Sequence, residues 1–179
     1  MKIDVKTIAR TYGAAMDIQA MTTPEELGLV FPGFAFDIGT QVAFMGSFQN
    51  AGHGMLVLTG EATADYEALC ARCLAPIRRT LRVPVQESFR PVRRDAGDGR
   101  QEQDIGEDDE SYAYDGFLVD ASDAVRENLL AALPIRELCR EDCAGLCPIC
   151  GIDRNQGKCT CLDGLDTERS PFGQLKEIL

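Results

Sequence analysis

Four cysteines stand within CREDCAGLCPICG: Cys139, Cys143, Cys147 and Cys150. Two more follow in KCTC, Cys159 and Cys161, and LCARC upstream holds Cys70 and Cys73. Eight thiols in 179 residues admit three chemistries: disulfide staples, a thiol–disulfide couple, or metal ligation. A structural Zn²⁺ takes four ligands in a tetrahedron, and C-x-x-C spacing turns two sulfurs toward one point. A glycine just after the second cysteine helps, because it adopts positive φ without steric cost. CPICG, Cys147 to Gly151, has both features.

The spacing divides the eight into two sets. CPIC and CTC are separated only by GIDRNQGK, eight residues that a compact loop spans, so Cys147, Cys150, Cys159 and Cys161 form one self-contained set. Cys70 and Cys73 then join Cys139 and Cys143, which are spaced one helical turn apart. A rival grouping joins Cys70 and Cys73 with Cys147 and Cys150 as a two-knuckle ribbon and stays open at this point. Iron–sulfur clusters also use four cysteines, and spacing does not name the metal. Zinc is placed first, in two structural sites, because single-residue spacing such as CTC suits compact structural sites. Disulfides fit poorly with a reducing cytosol. A redox C-x-x-C commonly opens a helix in a βαβ pattern, whereas CARC lies between two strand-like runs.

Other chemistry is sparse. His53 in NAGHG is the lone histidine and sits in a turn composition. No motif sets a nucleophile beside it, and no phosphate-cradling glycine loop is present. Asp108 and Asp109 fall in an acidic run, where a positioned carboxylate pair is implausible. The expectation is a protein that is not an enzyme and takes no small-molecule substrate. Net charge is −11, but it is segmented. Residues 95–115 carry nine acids and one base, while residues 72–94 carry seven arginines and one glutamate. The acidic run reads as a solvated loop. Basic stripes contact phosphate backbones, and Arg72, Arg90, Arg93 and Arg94 are the candidates for RNA or partner contact. No apolar run is long enough to span a bilayer, and the charged first ten residues lack a signal-peptide h-region. These features place the chain in the cytoplasm, away from membranes.

The elements that position the cysteines follow from periodicity. Period two over Phe36, Ile38, Val42, Phe44 and Phe48 predicts a strand. NAGHG is a turn, and Met55–Leu69 is a second strand with Leu56, Leu58, Ala62, Ala64 and Tyr66 on one face. Ile77, Leu81, Val83, Val85 and Phe89 mark a third. Pairing the last two as a hairpin with CARC at its tip sets Tyr66 opposite Ile77 and Leu58 opposite Val85. It also sets Asp65 opposite Arg78, Glu61 opposite Arg82, and Cys70 opposite Cys73. SYAYDGFLVD predicts a short strand. DASDAVRENLLAAL predicts a helix capped by Asp120 or Ser122 and ended by Leu133-Pro134, with Val125, Leu129 and Leu133 inward. PFGQLKEIL predicts a terminal helix. The fold class is α+β: an antiparallel β-meander with a cysteine knuckle at a hairpin tip, plus a helix and a C-terminal zinc-binding segment. One domain overall is expected, with residues 1–94 β-rich, 95–115 the acidic loop, and 116–179 the helix and cysteine-rich segment.

These residues together resemble a known family. LCARCLAPI after a meander, an acidic insert, ENLLAALPIRELCREDCAGLCPICG, CTC and PFGQLKEIL are similar to the YceD-type bacterial proteins linked to accumulation of large-subunit (23S) ribosomal RNA. The likeness runs from Phe36 onward, and LCREDCAGLCPICG is its most specific part. Relatives often read asparagine-leucine-asparagine shortly after the glycine matching Gly151, where this chain has IDRNQGK. They commonly carry DPR before the final helix, where this chain has DTERSPF. The resemblance implies a non-catalytic role in large-subunit assembly or rRNA stability. The implied partner is a large ribosomal subunit precursor, met through rRNA or through a ribosomal or assembly protein. The alternative is a redox- or metal-responsive regulator built on the cysteine clusters.

Overall fold

The computed structural model describes residues 1–29, 36–92 and 111–161. The chain divides into two units, Met1–Ala68 with Arg78–Ile135, and Leu69–Ile77 with Arg136–Leu179. Residues 93–110, with Arg93, Arg94 and most of the acidic run, and the terminal segment 171–179 lie outside the described residues.

The described chain is mostly β. Its strands are β1 (Lys2–Asp4), β2 (Ala15–Thr22), β3 (Phe36–Gly52), β4 (Met55–Leu69), β5 (Pro76–Pro91), β6 (Tyr112–Tyr114) and β7 (Leu118–Asp120), followed by one short helix, α1 (Ser122–Ala132). Strands β2-β3-β4-β5-β6 form a five-stranded sheet, and β1 pairs with β7. The expected meander is present, extended on one side by β2 and on the other by β6. The sheet is mixed rather than purely antiparallel, because β6 runs parallel to β5 with Phe89 opposite Tyr112. Those two rings stack at 5.3 Å, an aromatic pair that fixes the short strand in register. SYAYDGFLVD thus contributes two strands, divided at Gly116 (φ 66).

Alternation sorts the faces as expected. Val42, Phe44 and Phe48 of β3 and Leu56, Leu58 and Ala62 of β4 are almost fully buried. Val125 and Leu129 of α1 belong to the same core. The β3–β4 connection is a two-residue loop between paired Gly52 and Met55. His53 (φ 52) and Gly54 (φ 80) both take positive φ there, as the tight turns matching strand twist require. Histidine tolerates that region better than most residues, which accounts for His53 without any catalytic role.

Two local readings change. The N-cap of α1 is Ala121, not Asp120 or Ser122, and it makes no side-chain cap bond. Asp120 instead accepts the Ser122 backbone N–H at 3.0 Å from the end of β7. Along the β4–β5 hairpin, Arg82 meets Glu61 as expected. Arg78 pairs with Glu67 rather than Asp65, and Thr80 donates to Asp65 at 2.6 Å. The closing backbone bond runs from Cys70 N–H to the Ala75 carbonyl, so Cys70 does not face Cys73 across a minimal tip. The knuckle takes two more residues than a tight turn would, and pairing beside it shifts by two. A shift of two keeps every side chain on its face.

Candidate metal centres

Both C-x-x-C segments fold into the same six-residue loop. Cys70 donates its N–H to Ala75 O at 2.8 Å, and Leu74 donates back to Cys70 O at 2.9 Å. Cys147 donates to Ile152 O at 2.8 Å, and Gly151 donates back to Cys147 O at 2.8 Å. The fifth residue takes positive φ in each, 61° at Leu74 and 73° at Gly151. In both loops the backbone N–H groups of the third and fourth residues point at the first sulfur: Arg72 and Cys73 at Cys70, Ile149 and Cys150 at Cys147. The geometry therefore makes a nest of donors around a developing thiolate.

The second pair of each set comes from the C-terminal segment. Ala71 donates to Glu137 O at 2.8 Å and Leu146 donates to Arg72 O at 2.9 Å, so the first knuckle is held between the strands of chain that flank Cys139 and Cys143. Gly145 (φ 71) passes so close that a Cβ there would lie 2.9 Å from the Arg72 carbonyl oxygen. The result is two groups, Cys70, Cys73, Cys139 and Cys143, and Cys147, Cys150, Cys159 and Cys161. Within each, the sulfurs all lie within 4.8 Å of one another, and both groups are positioned as possible metal sites.

The distances discriminate between chemistries. Cys70 and Cys143 sulfurs are 3.8 Å apart, and those of Cys73 and Cys139 are 3.7 Å apart. A disulfide bond needs about 2.05 Å. A tetrahedron of thiolates about 2.3 Å from one ion has edges of about 3.8 Å. An iron–sulfur cubane places iron and sulfide between its thiolates and spreads them farther. The donor set and dimensions of the first group fit one soft divalent ion, and the second group offers the same four donors within 4.8 Å of one another.

The sulfurs of each group also titrate apart. Backbone N–H groups, Cys139 first and then Arg72 and Cys73, hold Cys70 at about 6. Those of Cys150 and Ile149 hold Cys147 at about 6. Burial, followed by the neighbouring Cys143 sulfur, pushes Cys139 up to about 12. A hydrogen bond with Cys150, then burial and charge, pushes Cys161 up to about 12. Four thiolates cannot share so small a space without a cation, and metal binding displaces the retained protons.

Of the arginine candidates, Arg72 and Arg90 fall among the described residues. Arg72 Nη1 donates to the carbonyls of Glu141 (3.0 Å) and Cys143 (2.9 Å), which ties it to the first cysteine group. Arg90 is half-buried in β5, in register with Ala113. Arg93 and Arg94 lie outside the described residues. Arg154 and Lys158, which no motif marks, line a cavity of about 330 Å³ beside Cys159 and Thr160. Asn155 is likewise unmarked along the chain, yet its side chain donates to the Cys143 sulfur at 3.4 Å. Its setting, Asp153 to Gly157, has an ordinary turn composition, so nothing short of the fold reveals that contact. No described helix is long and apolar enough to cross a membrane.

A family model described as "Large ribosomal RNA subunit accumulation protein YceD" matches residues 58–179, a span holding both cysteine groups. Two mycobacterial proteins are similar: the uncharacterized proteins Mb2951c of Mycobacterium bovis and Rv2926c of Mycobacterium tuberculosis. Each is 29% identical over 154 residues, covering 85% of this chain and 70% of its own length. No solved structure matches the chain significantly.

Proposed function

We infer the function from one premise: the chain belongs to the YceD family of large ribosomal RNA subunit accumulation proteins. Membership implies a role in accumulation of that RNA. The finer reading is a non-catalytic zinc protein of the cytoplasm that supports 23S rRNA accumulation and large-subunit biogenesis. Cys70, Cys73, Cys139 and Cys143 would hold one Zn²⁺, and Cys147, Cys150, Cys159 and Cys161 a second. Zinc at such sites supplies a redox-inert tetrahedral crosslink. The observation that carries this reading is the sulfur spacing of 3.7 and 3.8 Å in the first group, the edge of a zinc–thiolate tetrahedron.

In this reading the crosslinked knuckles present a rigid surface to a large-subunit precursor, through rRNA or a ribosomal or assembly protein. Arg72, Arg90, Arg93 and Arg94 are the proposed contacts. Arg72 also braces the first cysteine group, so its variants are scored together with metal content. The experiment is complementation of a deletion strain, reading 23S rRNA level and sedimentation of precursor particles. The native chain restores both, and Cys70→Ser with Cys143→Ser restores neither. Full rescue by that cysteine variant overturns the zinc scaffold. Full rescue by a metal-replete variant with Arg72, Arg93 and Arg94 all changed to Ala removes the arginine contacts.

One observation favours a second reading, a redox- or metal-responsive regulator: Cys150 is exposed, unlike its partner Cys147. Alkylation separates the two. Thiols of a structural site resist reagent until metal is removed, whereas a redox pair reacts with metal in place.

A further inference from the structure

Asn155 lies in the loop between Cys150 and Cys159, and so belongs by position to the second cysteine group. Its side chain, however, works on the first. Nδ2 donates to the Cys143 sulfur at 3.4 Å and to Asp153 Oδ1 at 2.6 Å. Oδ1 accepts the Ala144 N–H at 2.8 Å and an Arg140 guanidinium N–H at 2.7 Å. These four partners fix which way the amide points. Ala144 N–H and Arg140 are donors only and must face the oxygen, while the Asp153 carboxylate accepts and must face the nitrogen. The N–H therefore aims at a ligand sulfur of the first group.

The loop that carries Asn155 is held at both ends by ligands of the second group. Within it, Arg154 donates to Gly145 O at 2.9 Å, and Gln156 and Gly157 fold back on Asp153 O at 3.0 Å. Leu146 and Asp153 form a bridge. An N–H donor on a metal-bound thiolate stabilises its charge and orients the sulfur, and losing such an outer partner typically costs 10–100-fold in metal affinity. Four thiolates around Zn²⁺ leave a net charge of about −2, which makes each such donor count.

We propose that Asn155 couples the two cysteine groups: an ion in the second group orders the loop, the loop sets Asn155 on Cys143, and the first group then binds its ion more tightly. This rests on the reading that both groups hold metal. Linkage makes the effect reciprocal, so occupancy of either group raises affinity at the other by the same factor. The chain then loads two ions nearly together, and loss of the ion from the more exposed second group loosens the first.

The test is a double-mutant cycle on the full chain, titrated with Zn²⁺ against a chromophoric chelator and with Co²⁺ as a spectroscopic probe. Cys159→Ser with Cys161→Ser disables the second group. We expect it to weaken Zn²⁺ binding at the first group by about 10-fold or more. Asn155→Ala in the otherwise native chain produces a similar loss and shifts the Co²⁺–thiolate charge-transfer band of the first group. The two changes combined cost no more than either alone, as expected of residues acting in one chain of effects. Asn155→Asp weakens binding further than Ala, because a carboxylate would face the thiolate. First-group affinity that is unchanged by disabling the second group, or losses that simply add, overturns the coupling while leaving two metal sites. A native chain that takes up no metal overturns the metal reading and the coupling with it. Far-UV circular dichroism of the sheet shows that each variant is folded.

Discussion

Leu74 and Gly151 occupy the same place in two equivalent loops, and only one of them is suited to it. The fifth position of the knuckle takes φ of 61° at Leu74 and 73° at Gly151. For a residue with a Cβ, left-handed backbone costs about 1–2 kcal/mol. Leu74 is 57% exposed, so little burial offsets that strain. Leu74→Gly removes the strain and adds about 0.5–1 kcal/mol of unfolded-chain entropy to be lost. The expected result is a net stabilisation of under about 1 kcal/mol, read as a higher denaturant midpoint. Gly151→Leu runs the experiment backwards in open space, since nothing lies within 4 Å of a Cβ there, and lowers the midpoint. Gly145→Ala is more severe. It combines positive φ with a Cβ 2.9 Å from the Arg72 carbonyl and 3.2 Å from the Arg72 Cβ, on the loop between Cys143 and Cys147. A loss of about 2–3 kcal/mol is expected, with first-group metal released at lower chelator concentration than in the native chain.

At the level of elements, the β3–β4 pair depends on two glycines directly opposite each other, Gly46 and Gly60. A Cβ on either would run into the facing backbone and the Phe44 ring. Gly60→Ala should therefore cost about 1–3 kcal/mol, measured by thermal unfolding of the sheet. The entry to α1 gives a pH-dependent test. The Ser122 side chain, its backbone N–H and the chain's amino group hold the Asp120 carboxyl at about 2, below the unfolded value of about 3.9. Its contribution is thus complete above about pH 4 and fades as pH falls toward 2. Asp120→Asn should lower stability at neutral pH by less than about 1 kcal/mol, the side chain being 51% exposed, and should match the native chain near pH 2. Elements of this length were legible because alternation over β3, β4 and β5 is long and regular. The hairpin register was legible only as to face, since a two-residue slip preserves every inward and outward position. Strand β2 went unread: Ile18 is its one fully buried residue, too little to set a period. The two-by-two sorting of cysteines was readable from loop length, whereas Asn155 was not, because its partner Cys143 is reached through the fold rather than along the chain.

At the scale of the molecule, the two units differ in what can hold them together. The first has a core of large side chains, Phe44, Phe48, Phe89, Leu56 and Leu58 among them. The buried cluster of the second is Cys70, Cys73, Ile77 and Cys143, with Ala75, Leu138, Cys139 and Leu146 against it. Half of those residues are the thiols themselves, so without a bound cation the centre of the unit is a set of crowded, partly charged sulfurs with no crosslink between them. A cluster this poor in large apolar side chains supplies little burial, and small scaffolds of that kind usually need a metal, disulfide or partner as a staple. A strong chelator should therefore melt the second unit and spare the first. Far-UV circular dichroism would keep most of its β signal, while a protease specific for basic residues would newly cut at Arg136, Arg140, Arg154 and Lys158. Restoring about two equivalents of Zn²⁺ should return protection at all four positions together. Protection that survives complete metal removal would mean that hydrogen bonds such as Ala71 to Glu137 and Leu146 to Arg72 suffice on their own. In that case the sulfurs, with exposed Cys150 first among them, would be available for reaction without loss of structure, which is what a redox-responsive protein requires and a zinc scaffold does not.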